Sequence, residues 1–299
     1  MLRFKGGTSL SKAYKQIERF SEDLDIILAK EHVLDEGEEL FQPSNSKQKL
    51  FSEQLSQRTA QFISTILKEK IAAALGDAVK VCIDEEYSLL NAANKPRKID
   101  NKNLHVVYPK VANDAYLRPD ILLEIGIMSA WIPNESREIL PYVAELNPQL
   151  GITPAIVPTI KAERTFWDKA TILHREFYRP KTKHNKELGI DVPNHTPARY
   201  SRHYYDLYQM GHSSIKVAAL SDTQLLADVV ERKDKLYHSP WAEYELAKRR
   251  TIRLLPNENN RDLLAKDYQD MQGMIFGDKP DWEAILSYLQ ELEDEINKM

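Results

Sequence analysis

Residues able to do chemistry stand close together near the start of this chain. Gly6-Gly7-Thr8 is followed by Ser21-Glu22-Asp23-Leu24-Asp25. A glycine pair ahead of a helix lets backbone N–H groups approach an anion, and a helix N-terminus favours negative charge. Thr8 adds a hydroxyl donor, and Lys12 follows within the same predicted helix, so Gly6, Gly7, Thr8 and Lys12 are the candidate nucleotide-binding residues here. Asp23 and Asp25 are two apart on a predicted strand, so both carboxylates leave the same face while Leu24 and Ile26 face the core. Paired carboxylates repel unless a cation sits between them, and oxygen ligands suit Mg²⁺, with Mn²⁺ as an alternative. Alone, each feature fits an ordinary turn or a solvated strand end. Together, in this order, they describe a site for a metal-bound nucleoside triphosphate. Ser21 lies two residues before Asp23, so on an extended segment its hydroxyl shares the carboxylate side. It is a candidate regulatory residue, because a phosphate there adds about −1.5 to −2 of charge beside the pair. The plainer reading of Ser21 is a cap on the preceding turn.

The elements that must hold these groups can be read from periodicity. Leu2-Arg3-Phe4 reads as a strand running into the glycines, and Ser9 to Phe20 as a helix. Asp23–Leu28 reads as a strand, Glu31 to Ser46 as a surface loop, and Lys47 to Leu75 as a long helix stopped at Gly76. Val79–Ile83, Leu104–Tyr108 and Ile121–Ile127 are further strand candidates, the first two separated by a polar stretch over Asn91–Asn103. Prolines 133, 141, 148, 154 and 158 argue for loops and short strands. Helices are expected from Ile160 to Tyr178, Ala198 to Met210 and Trp282 to Ile296, with Arg179–Pro197 as a loop. The order predicts an α+β fold: a mixed sheet with flanking helices over residues 1–157, then a mainly helical module over 158–299.

Composition narrows the function. The 299 residues carry 41 Lys+Arg against 45 Asp+Glu, a net charge of −4, which excludes a generally basic nucleic-acid coat but not a local basic groove. The single cysteine, Cys82, permits no intrachain disulfide and no cysteine-based zinc cluster, as expected of a cytoplasmic protein. No stretch approaches the roughly 18 apolar residues of a membrane helix, so no membrane partner is expected. No Gly-x-Ser-x-Gly elbow supports a serine hydrolase.

FKGGTSLSKAY and RFSEDLDI together resemble the opening motif of the AbiEii/MenT nucleotidyltransferase toxins, whose core is polymerase-β-like. The resemblance implies that Gly7 and Thr8 bind the triphosphate and that Asp23 and Asp25 bind metal. It also implies a third carboxylate on a neighbouring strand. Glu124 in Asp120-Ile-Leu-Leu-Glu124-Ile-Gly126 is the best candidate and Asp120 the fallback. Lys161-Ala-Glu-Arg-Thr-Phe-Trp-Asp-Lys169 is similar to the family's second motif, which makes Lys169 a phosphate contact. Arg199-Tyr-Ser-Arg202-His203-Tyr-Tyr-Asp206-Leu-Tyr resembles the third, which places Asp206 in the active site, positioning Lys169 or a ribose hydroxyl. Family members usually carry a helical segment before the Gly-Gly turn, whereas this chain begins five residues before it, so the strand bearing the turn is expected to be short.

The acceptor side is read from local charge. Between Arg175 and Arg202 there are seven basic residues against three acidic, and Lys248, Arg249, Arg250 and Arg253 form a second cluster. Arg199, Arg202, Lys248, Arg249 and Arg250 are the candidate RNA-binding residues, with tyrosines nearby to stack on unpaired bases. Charge runs of this kind are also common on plain solvated surfaces. The resemblance implies NMP transfer from an NTP to RNA, foremost the 3′ end of tRNA, by the toxin of a toxin–antitoxin or phage-defence pair with a cognate antitoxin. Transfer to a protein side chain, or an idle binding module, are the alternatives.

Overall fold

The structure is a computed structural model describing residues 2–21, 23–90, 99–109, 120–127 and 131–299. The chain divides into two compact units. One comprises Met1–Ala13 and Ser21–Ile160, the other Tyr14–Phe20 and Lys161–Met299.

In the first unit the described residues form a seven-stranded mixed sheet. Its strands are β1 (Leu2–Lys5), β2 (Asp23–Leu28), β3 (Lys80–Ile83), β4 (Asn103–Val107), β5 (Asp120–Gly126), β6 (Asn134–Ile139) and β7 (Ala155–Ile160), in the order β3-β4-β5-β2-β1-β7-β6. The β2–β5 and β1–β7 pairs are parallel and the rest antiparallel. Helices α1 (Gly6–Lys12), α2 (Asn45–Phe62), α3 (Lys68–Leu75), α4 (Asp84–Leu90) and α5 (Tyr142–Leu146) complete it, α2 running into α3 through a π-helical turn at Ile63–Leu67.

Period-two alternation gives this sheet two unlike faces. Leu104 and Val106 of β4, Leu123 and Ile125 of β5 and Leu28 of β2 lie in one apolar cluster with Phe51, Leu55, Ile63 and Leu67 of the α2–α3 rod. Burying each such side chain contributes about 1.5–3 kcal/mol, which holds the rod to this face. The intervening residues, Asp23, Asp25, Asn103, His105, Asp120 and Glu124, therefore emerge on the other face.

The second unit is mainly helical: α6 (Ala162–Phe177), α7 (Ser201–Gly211), α8 (Ser214–Ser221), α9 (Leu225–Leu236), α10 (Arg261–Met271) and α11 (Trp282–Lys298). α6 packs on α7, α8 and α9 through Phe166, Trp167, Ala170 and Leu173, all sealed from solvent. The Trp167 indole N–H donates to Ala219 O at 3.1 Å, which fixes α6 against α8. No helix among the described residues is long and apolar enough to cross a membrane.

Two local expectations change. The helix expected over Ser9–Phe20 is α1 alone, ending before Lys15, whose backbone is left-handed at φ 52°. From Gln16 to Phe20 the chain is neither helix nor a named strand. Arg19 bridges Ile275, Phe20 N–H donates to Met274 O, and Phe276 N–H donates to Glu18 O. Ile17 and Arg19 are both buried, a period-two pattern too short to register against the helical spacing of Leu10, Ala13 and Ile17. The predicted loop over Arg179–Pro197 holds a hairpin, β8 (Thr182–Asn185) and β9 (Ile190–Pro193). Its turn is made by Asn185, whose Oδ1 accepts from Glu187 and Leu188 N–H, and by left-handed Gly189. The Asn-rich connection lies outside the described residues over 91–98.

Candidate active site

The candidate site of the first unit is set by strand register. β1 and β2 pair so that Lys5 stands opposite Asp25, and β2 and β5 pair so that Asp25 stands opposite Glu124. Asn103 of β4 stands opposite Glu124 on its other side. One row across four strands thus reads Lys5, Asp25, Glu124, Asn103. Asp23 occupies the next row, opposite Leu122, on the same face. Asp23 and Asp25 are half-buried and Glu124 is exposed. Two carboxylates directly opposite one another on paired strands destabilise the sheet unless positive charge intervenes. Lys5 supplies a neighbour at one end of the row, and it escaped the reading of the sequence although it immediately precedes the glycines.

The turn closes over this row. Gly6 has φ +76°, and a Cβ built there would lie 1.9 Å from Asp25 Oδ2. Glycine is therefore required twice, for its backbone conformation and for the approach of the turn to the carboxylate. The Thr8 hydroxyl donates to Asp23 O, and Ser9 Oγ donates to Gly6 O at 2.8 Å. The first bond ties the turn to the strand that carries both aspartates, and the second braces the turn itself. Lys12 is turned elsewhere: its Nζ lies 2.8 Å from Glu145 Oε2 and 3.6 Å from the centre of the Tyr142 ring.

The carboxylates form an all-oxygen donor set, as a hard divalent cation requires. Among the described residues no three His, Cys, Asp or Glu side chains are grouped to enclose a metal ion. Mg²⁺ does not need such a cage, since it is commonly held by one or two carboxylates, retained waters and substrate phosphates. The row fits it on those terms. Asp120, the fallback third carboxylate, is committed to Tyr87 and His105 instead. Ser21 is half-buried in an irregular stretch before β2, and Glu22 lies outside the described residues.

In the second unit, Lys169 of α6 and Asp206 of α7 meet. Lys169 Nζ is 2.8 Å from Asp206 Oδ2 and 3.1 Å from His203 Nδ1. Asp206 also receives Arg19, whose Nε and one terminal nitrogen donate to Oδ1 and Oδ2 at 2.7 and 2.8 Å. Burial would raise the Asp206 carboxyl, but the Arg19 and Lys169 cations outweigh it and hold it well below the usual range. Burial and the surrounding cations keep His203 neutral, so its Nδ1 accepts from the Lys169 ammonium. Burial also lowers Lys169 from its ordinary value. Arg19 was not singled out from the sequence. Its signal is an arginine at an otherwise apolar alternation, which only the partner on α7 explains.

The basic segments divide by use. Arg175 and Arg179 both bind the buried Glu176 carboxylate, and both guanidinium groups lie over the Trp241 ring. Arg249 donates to Leu220 O at 2.5 Å, and Arg253 pairs with Glu293. Arg199, Lys248 and Arg250 are exposed, as are Lys181, Lys183 and Lys186 around the β8–β9 hairpin, and Arg202 is half-buried. His174 is structural: Nδ1 accepts from Arg253 N–H, and Nε2 donates to Glu243 O.

Comparison with known proteins then adds an identity to this geometry. No curated protein matches the chain. Among solved structures, it is similar to the nucleotidyltransferase toxin MenT4 from Mycobacterium tuberculosis H37Rv at 14% identity and a TM-score of 0.42, covering 99% of this chain and 82% of that one. The sequence profile described as "Nucleotidyl transferase AbiEii toxin, Type IV TA system" matches residues 1–288. On that match over nearly its whole length, the chain belongs to the AbiEii family of nucleotidyltransferase toxins.

Proposed function

We propose that this nucleotidyltransferase transfers an NMP from an NTP to an RNA acceptor, foremost the 3′ end of tRNA, using Mg²⁺ held on Asp23, Asp25 and Glu124. The observation that supports this best is the register of Asp25 against Glu124, with Gly6 pressed onto the Asp25 carboxylate. A bound divalent cation would neutralise phosphate charge and favour in-line attack on the α-phosphorus. The chain's own residues do the positioning. Gly6 brings backbone close to the Asp25 carboxylate, and Thr8 holds the turn to β2. Asp25 and Glu124, opposite one another, define where positive charge is accepted. The exposed Lys248 and Arg250, with the lysines of the β8–β9 hairpin, are the groups free of close structural duties that suit a polyanionic acceptor.

As a toxin of a type IV pair, the chain has an antitoxin as its partner in the system. The test is incubation of purified protein with each α-labelled NTP, bulk tRNA and Mg²⁺. Label in the tRNA supports the reading. Label in protein alone replaces RNA by a protein acceptor, and no label anywhere removes transferase activity from the account.

A further inference from the structure

A second cluster of titratable groups lies on the carboxylate-bearing face of the sheet. His105 of β4 is 2% exposed and stands between two aspartates. Its Nε2 lies 2.7 Å from Asp84 Oδ1, and its Nδ1 lies 2.9 Å from Asp120 Oδ2. A neutral imidazole has one N–H, so two carboxylate acceptors call for the doubly protonated ring. Burial opposes that charge, but the hydrogen bonds His105 donates to Asp120 and Asp84, with their negative charges, outweigh it and hold His105 above its ordinary value. The remaining carboxylate oxygens are also satisfied. Asp120 Oδ1 accepts from Tyr87 Oη at 2.8 Å, and Asp84 Oδ2 accepts from Asp100 N–H at 2.8 Å and Asn103 Nδ2 at 3.2 Å. The Tyr87 ring stacks on the imidazole with centroids 3.8 Å apart and 10° between planes.

The location gives this network its meaning. Asn103, held by Asp84, is the residue opposite Glu124, and His105 is opposite Leu122, which in turn is opposite Asp23. The network therefore borders both rows that carry the carboxylates: Asn103 ends the first, and in the second His105 stands between Leu122 and Cys82 of β3. Asp120 begins the strand that bears Glu124 four residues on. The ring, carried on β4, bonds to Asp84 of α4 and Asp120 of β5, so these three elements are fixed together, the strand that bears Glu124 among them.

We infer that Asp84, His105 and Asp120 form a positioning network that holds β5, and with it the Glu124 carboxylate, in place for the cation shared with Asp25. The inference rests on the reading of Asp23, Asp25 and Glu124 as metal ligands. Partners that hydrogen-bond a metal ligand directly change metal affinity or activity by about 10–100-fold, and a network acting through the strand that carries the ligand is expected at the lower end of that range.

The test uses full-length protein and two readouts, Mn²⁺ binding by electron paramagnetic resonance and the Mg²⁺ concentration giving half-maximal transfer. His105→Gln should weaken Mn²⁺ binding and raise the half-saturating Mg²⁺ by about tenfold or more, with NTP KM little changed. Tyr87→Phe removes one hydrogen bond and keeps the ring stack, so it should move both readouts the same way by about two- to tenfold even if His105→Gln does not fold. Asp25→Ala serves as the reference. If Asp25→Ala abolishes Mn²⁺ binding while Tyr87→Phe and folded His105→Gln leave it unchanged, the network is structural only and the inference falls. If Asp25→Ala itself leaves Mn²⁺ binding intact, the metal assignment beneath it is what fails.

Discussion

Arg19 and Asp206 form a two-point ion pair from which solvent is almost wholly excluded, the side chains being 3% and 0% exposed. The same carboxylate carries Lys169. Asp206 is thus an anion shared by two buried cations, and its first duty is to make their burial tolerable. Removing one partner of a buried pair costs about 3–5 kcal/mol, because the other charge stays desolvated and uncompensated. Asp206→Asn should lower the stability of the second unit by about that amount, measured by urea denaturation. Arg19→Met combined with Asp206→Leu should be less destabilising than Asp206→Leu alone, because Lys169 is then the single cation that loses this counter-charge. A stable Asp206→Asn protein would contradict this role.

Gly6 tests the geometry of the turn. Gly6→Ala demands a left-handed alanine and drives a Cβ into the Asp25 carboxylate. Displacing a positioned group by an ångström can cost about a hundredfold in rate, so transfer should fall by about that factor. Circular dichroism should show a folded protein, since the strain of one such residue is about 1–3 kcal/mol. Normal transfer by Gly6→Ala would mean that the approach of turn to strand is not used.

The basic cluster near residue 250 should split into two kinds. Lys248 and Arg250 are exposed, whereas Arg249 is spent on the Leu220 carbonyl. Lys248→Glu with Arg250→Glu should weaken tRNA binding and flatten the log–log salt dependence by about 0.7 per lost phosphate contact. Arg249→Ala should act on stability instead. Unchanged binding and salt slope in the double variant would take these two residues out of the acceptor surface.

The histidines give the two units opposite responses to pH. His174 and His203 lie below their ordinary value of 6.5 when folded, both because of burial. Unfolding then takes up protons, so the second unit loses stability as pH falls through 6.5. His105 lies above 6.5, so its contribution to the first unit is present in full below 6.5 and is lost as pH rises through the folded value. Hydrogen exchange at pH 5.5 and 8, corrected for intrinsic rates, should show α6–α7 better protected at the higher pH and β4–β5 at the lower. His105→Gln should abolish the second response. The same direction of change in both units would contradict the assignment.

How far the sequence spoke depends on the range of the interaction. The strands bearing Asp25 and Glu124 were legible because alternation acts within a strand. Their register against one another was not, since pairing joins residues nearly a hundred positions apart. The α2–α3 rod was visible in its three- and four-residue spacing. The segment from Tyr14 to Phe20 was misread as helix because its geometry is imposed by Met274–Phe276 and by Asp206, far along the chain. Arg175, Arg179 and Arg249 read as solvent-facing charge. Of their partners, Glu176, beside Arg175 and three residues before Arg179, was within reach of helical spacing, whereas Trp241 and the Leu220 carbonyl could be found only in three dimensions.

The central claim is that Asp25, facing Glu124 under Gly6, carries the metal-dependent chemistry. The most direct measurement is Mg²⁺-dependent transfer of label from α-labelled NTP to bulk tRNA by the wild type and by Asp25→Ala. The wild type should label tRNA only with the cation present. Asp25→Ala should lose transfer by about a hundredfold or more, the scale expected for a group that stabilises transition-state charge. Its thermal stability should hold, since one of two opposed carboxylates is gone. Near-normal, Mg²⁺-dependent transfer by a folded Asp25→Ala protein would contradict the account.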